Sequence, residues 1–338
     1  MRGESRDAKS LVEADDVGCR SRDFAGVETY GCVVKERKNN GSTRRGSPRG
    51  GAKGSGAVVV EAKKSPSAIP DVQGKQDTRN VAIDRVGVKD VTYPIRLTIP
   101  ESAQIPGGPS EQSTVAKINM YVSLPHYQKG THMSRFLEVL NEHDMAITPG
   151  DIAGIAAKIR QRLGAAEAHF FASFTYFIRK LAPMTQQPGL MDYQVSFECT
   201  SGPEGDDFIL GVKAPATSLC PCSKEISRYG AHNQRCLIEA KVRFKGMLWI
   251  EDLAKILEGA ASTEVFAVLK RPDEKYVTEA AFDNPKFVED IVRDLALALE
   301  RDERITWYSI NSENFESIHS HNAYAEIEKW KGRGPKRR

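Results

Sequence analysis

Apolar positions between residues 91 and 330 follow two alternating periods. Val91 to Ile99 and Val115 to Leu124 are rich in β-branched and apolar residues in partial alternation, the spacing of strands whose side chains point to opposite faces. The period then lengthens. Met133, Phe136, Leu137 and Leu140 form one helical stripe, and Ile152, Ile155, Ala156, Ile159 and Leu163 form a second. Thr148 as N-cap, Pro149 at the first helical position, Asp151 in the first turn and Gly164 just beyond the end bound that second helix. Two strand-like segments follow, Ala168 to Leu181 and Met191 to Thr200, on either side of the turn-prone stretch Pro183 to Gly189.

The second half repeats this order. Phe208 to Ala216 and Cys236 to Phe244 read as strands, Ile250 to Glu258 and Pro285 to Glu300 as helices, and Arg304 to Ser309 with Ala323 to Trp330 as closing strands. Val288, Val292, Leu295 and Leu299 share one face of the last helix. Two successive strand-strand-helix-helix-strand-strand units predict an α+β fold, a mainly antiparallel sheet with helices on one side.

Residues 1–66 have no sustained apolar period and contain Asn39, Asn40, Gly41 and Ser42 and a Gly/Ser/Pro-rich run from Gly46 to Gly51. Too little surface can be buried there to offset chain entropy, so a disordered basic extension is expected. The acids Glu4, Asp7, Glu13, Asp15 and Asp16 argue against an organelle-import peptide. The formal charge of +3 for the 338 residues conceals a division: residues 1–64 and the tail 331–338 each carry +5, which leaves −7 on the body. An acidic body does not suit a general nucleic-acid surface. Six cysteines are too sparse for a disulfide framework, and no apolar run has signal-peptide or membrane-spanning character. These features predict a reduced, cytoplasmic protein with neither nucleic acid nor membrane as partner.

Candidate chemistry concentrates between Ser218 and Gln234, where Cys220, Cys222, Lys224 and His232 fall in one turn-rich stretch. Buried polar groups cost free energy unless partnered, so such density points to a working site. Thiolate and imidazole are ligands for Zn²⁺ or Fe²⁺, and a carboxylate can complete an open catalytic site. Cys220 and His232 are twelve positions apart with Gly230 between them, which lets a loop bring both to one ion. Cys222, two residues from Cys220, faces a substrate more readily than the same ion; otherwise it is, like Cys236, a small buried hydrophobe. The run Lys129 to Arg135, at the start of a predicted helix, sets Lys129, His132, Ser134 and Arg135 where a polyphosphate is stabilised, or else is a capped helix with solvated bases. It lacks P-loop spacing. Glu316, His319 and His321 cluster after the strand predicted to end near Ser309 and can act as acid and base partners, or else occupy a solvated loop.

Taken in order, Asp84 to Lys89, Lys129 to Phe136, Ser218 to Ser227, Gly230 to Arg235 and Glu316 to His321 resemble the prokaryotic type IB GTP cyclohydrolase I family, from about Ile69 to Trp330. The resemblance implies a bimodular tunnelling fold, with units at about 90–200 and 206–330 in a catalytic domain 67–330, and an oligomeric barrel, a tetramer, with sites near subunit interfaces. It implies conversion of GTP and water to 7,8-dihydroneopterin triphosphate and formate, the entry to folate and to some modified-tRNA nucleosides. By the matching motifs it makes Cys220, His232 and Glu274 ligands of a divalent metal (Zn²⁺, Mn²⁺ or Fe²⁺) and Cys222 an active-site thiol. Glu289 becomes the acid on the guanine edge, and Glu316, His319 and His321 neighbours of the reacting ring. Lys129, Arg135, Lys224 and Arg235 are the bases available to the triphosphate. A tunnelling-fold relative giving a cyclic-phosphate product or reducing a nitrile, and a non-catalytic metal- or purine-binding relative, are the alternatives.

Overall fold

The computed structural model describes residues 71–104, 109–143 and 149–332, all within the unit Ser67–Arg338. The expected extension 1–66, the Thr148 cap and most of the tail lie outside the described residues.

Strands β1 (Ile83–Thr98) and β2 (Glu111–Leu124) precede helices α1 (Ser134–Asn141) and α2 (Pro149–Leu163), and β3 (Ala168–Leu181) and β4 (Pro188–Gly202) close the first unit. The second unit runs β5 (Gly205–Leu219), α3 (Pro221–Ile226), β6 (Asn233–Phe244), α4 (Ile250–Gly259), β7 (Thr263–Glu264), α5 (Arg271–Asp283), α6 (Val288–Arg301), β8 (Ile305–Asn314) and β9 (Ala323–Trp330). All strands join one nine-stranded antiparallel sheet, β1-β2-β3-β4-β5-β6-β8-β9, with β7 paired to β5. The order is the expected pair of ββααββ units, with α3 and β7–α5 inserted in the second. Alternation makes one sheet face apolar: Ile118, Met120, Phe170, Ala172, Phe197, Val212 and Ile238 are buried there. Helix α2 covers β3 and β4, α4 covers β5 and β6, and α6 covers β8 and β9.

Several elements depart from the sequence expectation for identifiable reasons. Strand β1 starts at Ile83 rather than Val91 because register shifts at Ile83/Val86 and Val88/Val91 break its alternation. Asp90, at φ 58°, sits in the second irregularity with its N–H donated to Asn119 Oδ1 at 2.7 Å. A Cβ at Gly87 would lie 2.0 Å from the Met120 carbonyl oxygen, so only glycine fits that crossing. Strand β8 continues to Asn314 because the interruption in its apolar pattern is itself buried: Ser312 and Asn314 are at most 2 % exposed and pair with each other and with Ser218. Helix α6 begins at Val288, not Pro285, since Phe287 is extended at φ −73° and ψ 164° and serves as the N-cap, while the Lys286 N–H bonds to the Leu219 carbonyl at 3.0 Å. Helix α5 has no apolar stripe to detect; its buried residues are Asp273 and Ala281.

The β4–β5 ladder runs from Gln194/Lys213 to Gly202/Gly205. Beyond it the strands part, and β7 takes the freed edge of β5 at Ala216/Glu264 and Thr217/Thr263. Lys180, at the end of β3, secures this opening: its Nζ lies 2.8 Å from Glu258, 2.6 Å from Glu264 and 3.1 Å from the Val265 carbonyl.

Candidate active site

Where β5 ends and β6 begins, the chain makes an excursion from Cys220 to His232. The last ladder pair, Leu219/Asn233, closes its base, and the Cys220 N–H donates to the His232 carbonyl at 3.1 Å. The backbones of the two expected ligands thus pair just beyond the adjoining ends of β5 and β6. Cys220 caps α3: its Sγ accepts from the Ser223 N–H at 3.5 Å, and Pro221 opens the helix where a missing N–H costs nothing. The Ser223 hydroxyl donates to the Cys220 carbonyl at 3.1 Å and accepts from the His232 N–H at 3.2 Å. Gly230, at φ 116°, makes the return turn.

The loop between β8 and β9 lies across this base, anchored by the Phe315 N–H on the Arg235 carbonyl at 3.0 Å. His232 Nδ1 is 3.1 Å from both Gln234 Oε1 and Ser317 Oγ, and Gln234 Nε2 is 3.5 Å from Glu316 Oε1. His319 and His321 stand on this exposed loop with rings stacked at 5.2 Å; they share a side through a bend rather than along a strand. Cys222 is exposed. Cys236 is the small hydrophobe anticipated as its alternative: it is fully buried, and burial pushes its thiol up to about 12.

Glu289 is exposed in the first turn of α6 at this same end of the sheet. That turn is stitched to the residues before Cys220 by Ser218 Oγ donating to the Lys286 carbonyl at 3.0 Å and by the Lys286 N–H on Leu219. Lys224 is occupied differently than expected. Its ammonium donates to the Phe282 carbonyl and sits 4.4 Å from the Phe282 ring centre, tying α3 to α5. Arg235 is exposed and lines a cleft of about 590 Å³ with Lys213, Thr217 and Phe266.

Two expectations are not met within one chain. Glu274 is exposed on the first turn of α5, whereas the turn that reaches the Cys220 loop, at Phe282, is the opposite end, about 12 Å along the helix. Among the described residues no three His, Cys, Asp or Glu side chains converge as a metal site. Lys129, His132, Ser134 and Arg135 follow β2 at the far end of the sheet, since Val122 is level with Ala168, Ser201 and Asp206 at the start of β5. The length of β5, on the order of 45 Å, separates them from Cys220. Nor are the local donors free: the Lys129 and Gly130 N–H groups bond to the Lys75 and Gln73 carbonyls, and His132 lies 3.4 Å from Asp71.

Gln234, Ser317 and Ser223 were not singled out in the sequence, where they look like ordinary polar residues. Only the Pro221 helix start beside Cys220 offered a local signal.

A model of the type I GTP cyclohydrolase folE2 family matches residues 69–325. The chain is 52 % identical over 260 residues to GTP cyclohydrolase FolE2 of Geobacter sulfurreducens, covering 77 % of this chain and 98 % of that protein. It is 53 % identical over 260 residues to the protein of the same name from Magnetococcus marinus, covering 77 % and 96 %. Among solved structures, a uricase from Bacillus fastidious aligns over 73 % of this chain and 94 % of its own at 9 % identity, with a TM-score of 0.44. With the family model spanning both ββααββ units and half of the aligned residues identical to those of the relatives, the chain belongs to the type I GTP cyclohydrolase FolE2 family.

Proposed function

We propose that this protein is a type IB GTP cyclohydrolase I, converting GTP and water to 7,8-dihydroneopterin triphosphate and formate at the Cys220–His232 base. The observation that carries the reading is the juxtaposition of Cys220 and His232 under the loop that bears Glu316, His319 and His321, in a chain whose relatives are named GTP cyclohydrolase FolE2.

The donor set fits a divalent ion. With Nδ1 engaged by Gln234 and Ser317, His232 keeps Nε2 for a ligand, and its backbone pairs with that of the thiol-bearing Cys220. Zn²⁺, Mn²⁺ and Fe²⁺ all suit Cys, His and carboxylate donors. The ion would supply Lewis acidity that makes water nucleophilic near neutral pH. Glu274, exposed in the first turn of α5, is the third ligand that the resemblance implies.

The remaining roles belong to side chains. The Glu289 carboxylate accepts from guanine N1 and N2, a pairing adenine lacks. Glu316, His319 and His321 move protons as the imidazole ring opens at C8, formate leaves and the ring recloses. Cys222 faces the substrate. Lys129, His132, Ser134 and Arg135 cannot reach the same chain's Cys220, so they serve the triphosphate from another subunit of a homo-oligomer, for which a tetramer is the expected state. Arg235 is the base at hand within the subunit. A reduced, cytoplasmic setting belongs to the proposal, because Cys222 is an exposed thiol.

Incubation with GTP and a divalent metal, followed by oxidation, tests the activity: a fluorescent pterin and stoichiometric formate are expected. Pterin without formate, or GTP left intact with each of the three metals, would exclude the reaction.

A further inference from the structure

Gln234 is 8 % exposed and has a polar partner on each side. Its Nε2 faces the Glu316 carboxylate at 3.5 Å, and its Oε1 faces His232 Nδ1 at 3.1 Å. A carboxylate oxygen only accepts, so the amide must turn its NH₂ toward Glu316 and its oxygen toward the imidazole. An amide oxygen also only accepts, which requires the proton of neutral His232 to sit on Nδ1 and leaves the Nε2 lone pair free. Ser317 Oγ, also 3.1 Å from Nδ1, selects neither tautomer because a hydroxyl both donates and accepts.

We propose that Gln234 is a positioning residue that sets the His232 tautomer for metal binding and is itself oriented by Glu316. The inference rests on the metal-site reading above. It gives Glu316, on an exposed loop, an influence on the metal that needs no direct contact with it. The Glu316 link is the longer of the two, so it orients the amide more than it binds it.

The test is zinc affinity of the full chain, by competition with a chromophoric chelator, together with kcat and KM for GTP. Gln234→Leu removes the acceptor and should weaken zinc binding about tenfold to a hundredfold, the usual effect of losing the partner of a metal-bound imidazole. Gln234→Glu keeps an acceptor toward Nδ1 but sets a second carboxylate against Glu316, so the rescue is read in Gln234→Glu/Glu316→Gln, which restores a donor between the two and should stay within about threefold of the parent, a recovery that a purely structural role does not predict. Glu316→Ala leaves the buried amide in place, so folding is not at issue, and should weaken zinc binding severalfold; His319→Ala should not. Zinc affinities at the parent level in both Gln234→Leu and Glu316→Ala would overturn the relay. A parent chain that binds zinc no better than Cys220→Ala would instead remove the metal site, and the relay with it.

Discussion

At the scale of single residues, two cysteines separated by one proline differ in their settings. Cys220 is fixed by its place as the cap of α3 and by its N–H on the His232 carbonyl, whereas Cys222 is exposed. Cys220→Ala and His232→Ala are each expected to remove bound metal and abolish GTP turnover; elemental analysis of the purified variants checks this, and full occupancy in both would reject the ligand assignment. Cys222→Ala should retain metal and melting temperature while losing most of kcat. A near-parental kcat would return Cys222 to a passive surface thiol. Glu289→Gln presents a donor where guanine needs an acceptor, so its signature should be weakened GTP binding with the metal intact. Unchanged affinity in a direct GTP titration would count against that role. Cys220, Cys222 and His232 stand out in the sequence as candidates because reactive side chains rarely crowd together without purpose. Gln234 was not, since nothing local distinguishes a glutamine that orients a histidine from one on any strand edge.

At the scale of elements, the opening between β4 and β5 depends on a buried ion pair. Lys180 is 11 % exposed at its side chain and Glu258 is 7 % exposed at its own, with the Tyr193 hydroxyl donating to Glu258 at 2.7 Å. Burial raises the Glu258 carboxyl and Lys180 pulls it down; burial wins, so it stays above the ordinary carboxylate range. A raised folded-state value means that this group's contribution to stability is full below the ordinary range and is lost as pH rises through the raised value. Lys180→Met removes the compensating charge. It should cost about 3–5 kcal/mol by denaturant unfolding at neutral pH, and less at about pH 5, where Glu258 is more readily protonated. Lys180→Met/Glu258→Met should recover most of the loss, and a double variant no more stable than the single one would show that the pair is not what secures the opening. Helix α5 has a second anchor. The fully buried Asp273 accepts from Met184, Thr185 and Lys270. Burial opposes its ionisation, but these hydrogen bonds prevail and hold it well below the usual range.

At the scale of the whole molecule, the two ββααββ units put the Cys220 base and the Lys129–Arg135 segment at opposite ends of the sheet. On the proposed reading, one chain would hold the metal-binding half of the site and, for another subunit, part of the triphosphate half. The family match starts at residue 69, and the Geobacter sulfurreducens relative is covered to 98 % by only 77 % of this chain. Residues 1–66 therefore have no counterpart in the matched enzyme. Their deletion should leave kcat and melting temperature nearly unchanged. A large loss of either in the truncated protein would show that the extension contributes to the folded body.

The sequence alone determined the order of the main strands and helices and their repetition, though not α3, β7 or α5, and singled out the reactive side chains, because period, caps and residue chemistry are local properties of the chain. Its errors fell where burial reversed a local rule. Polar Ser312 and Asn314 extend β8 because each finds a partner, and the bulges of β1 break an alternation that the ladder nevertheless continues. Only the tertiary structure decided which of the chemical groups meet. Cys220 and His232 come together through the closing ladder pair of β5 and β6, and Lys224 is diverted to Phe282. Lys129 to Arg135 are carried to the far end of the sheet, and Glu274 is left exposed on α5. Pairing of distant strands sets these distances, and no periodicity within one segment encodes which strand will lie beside it.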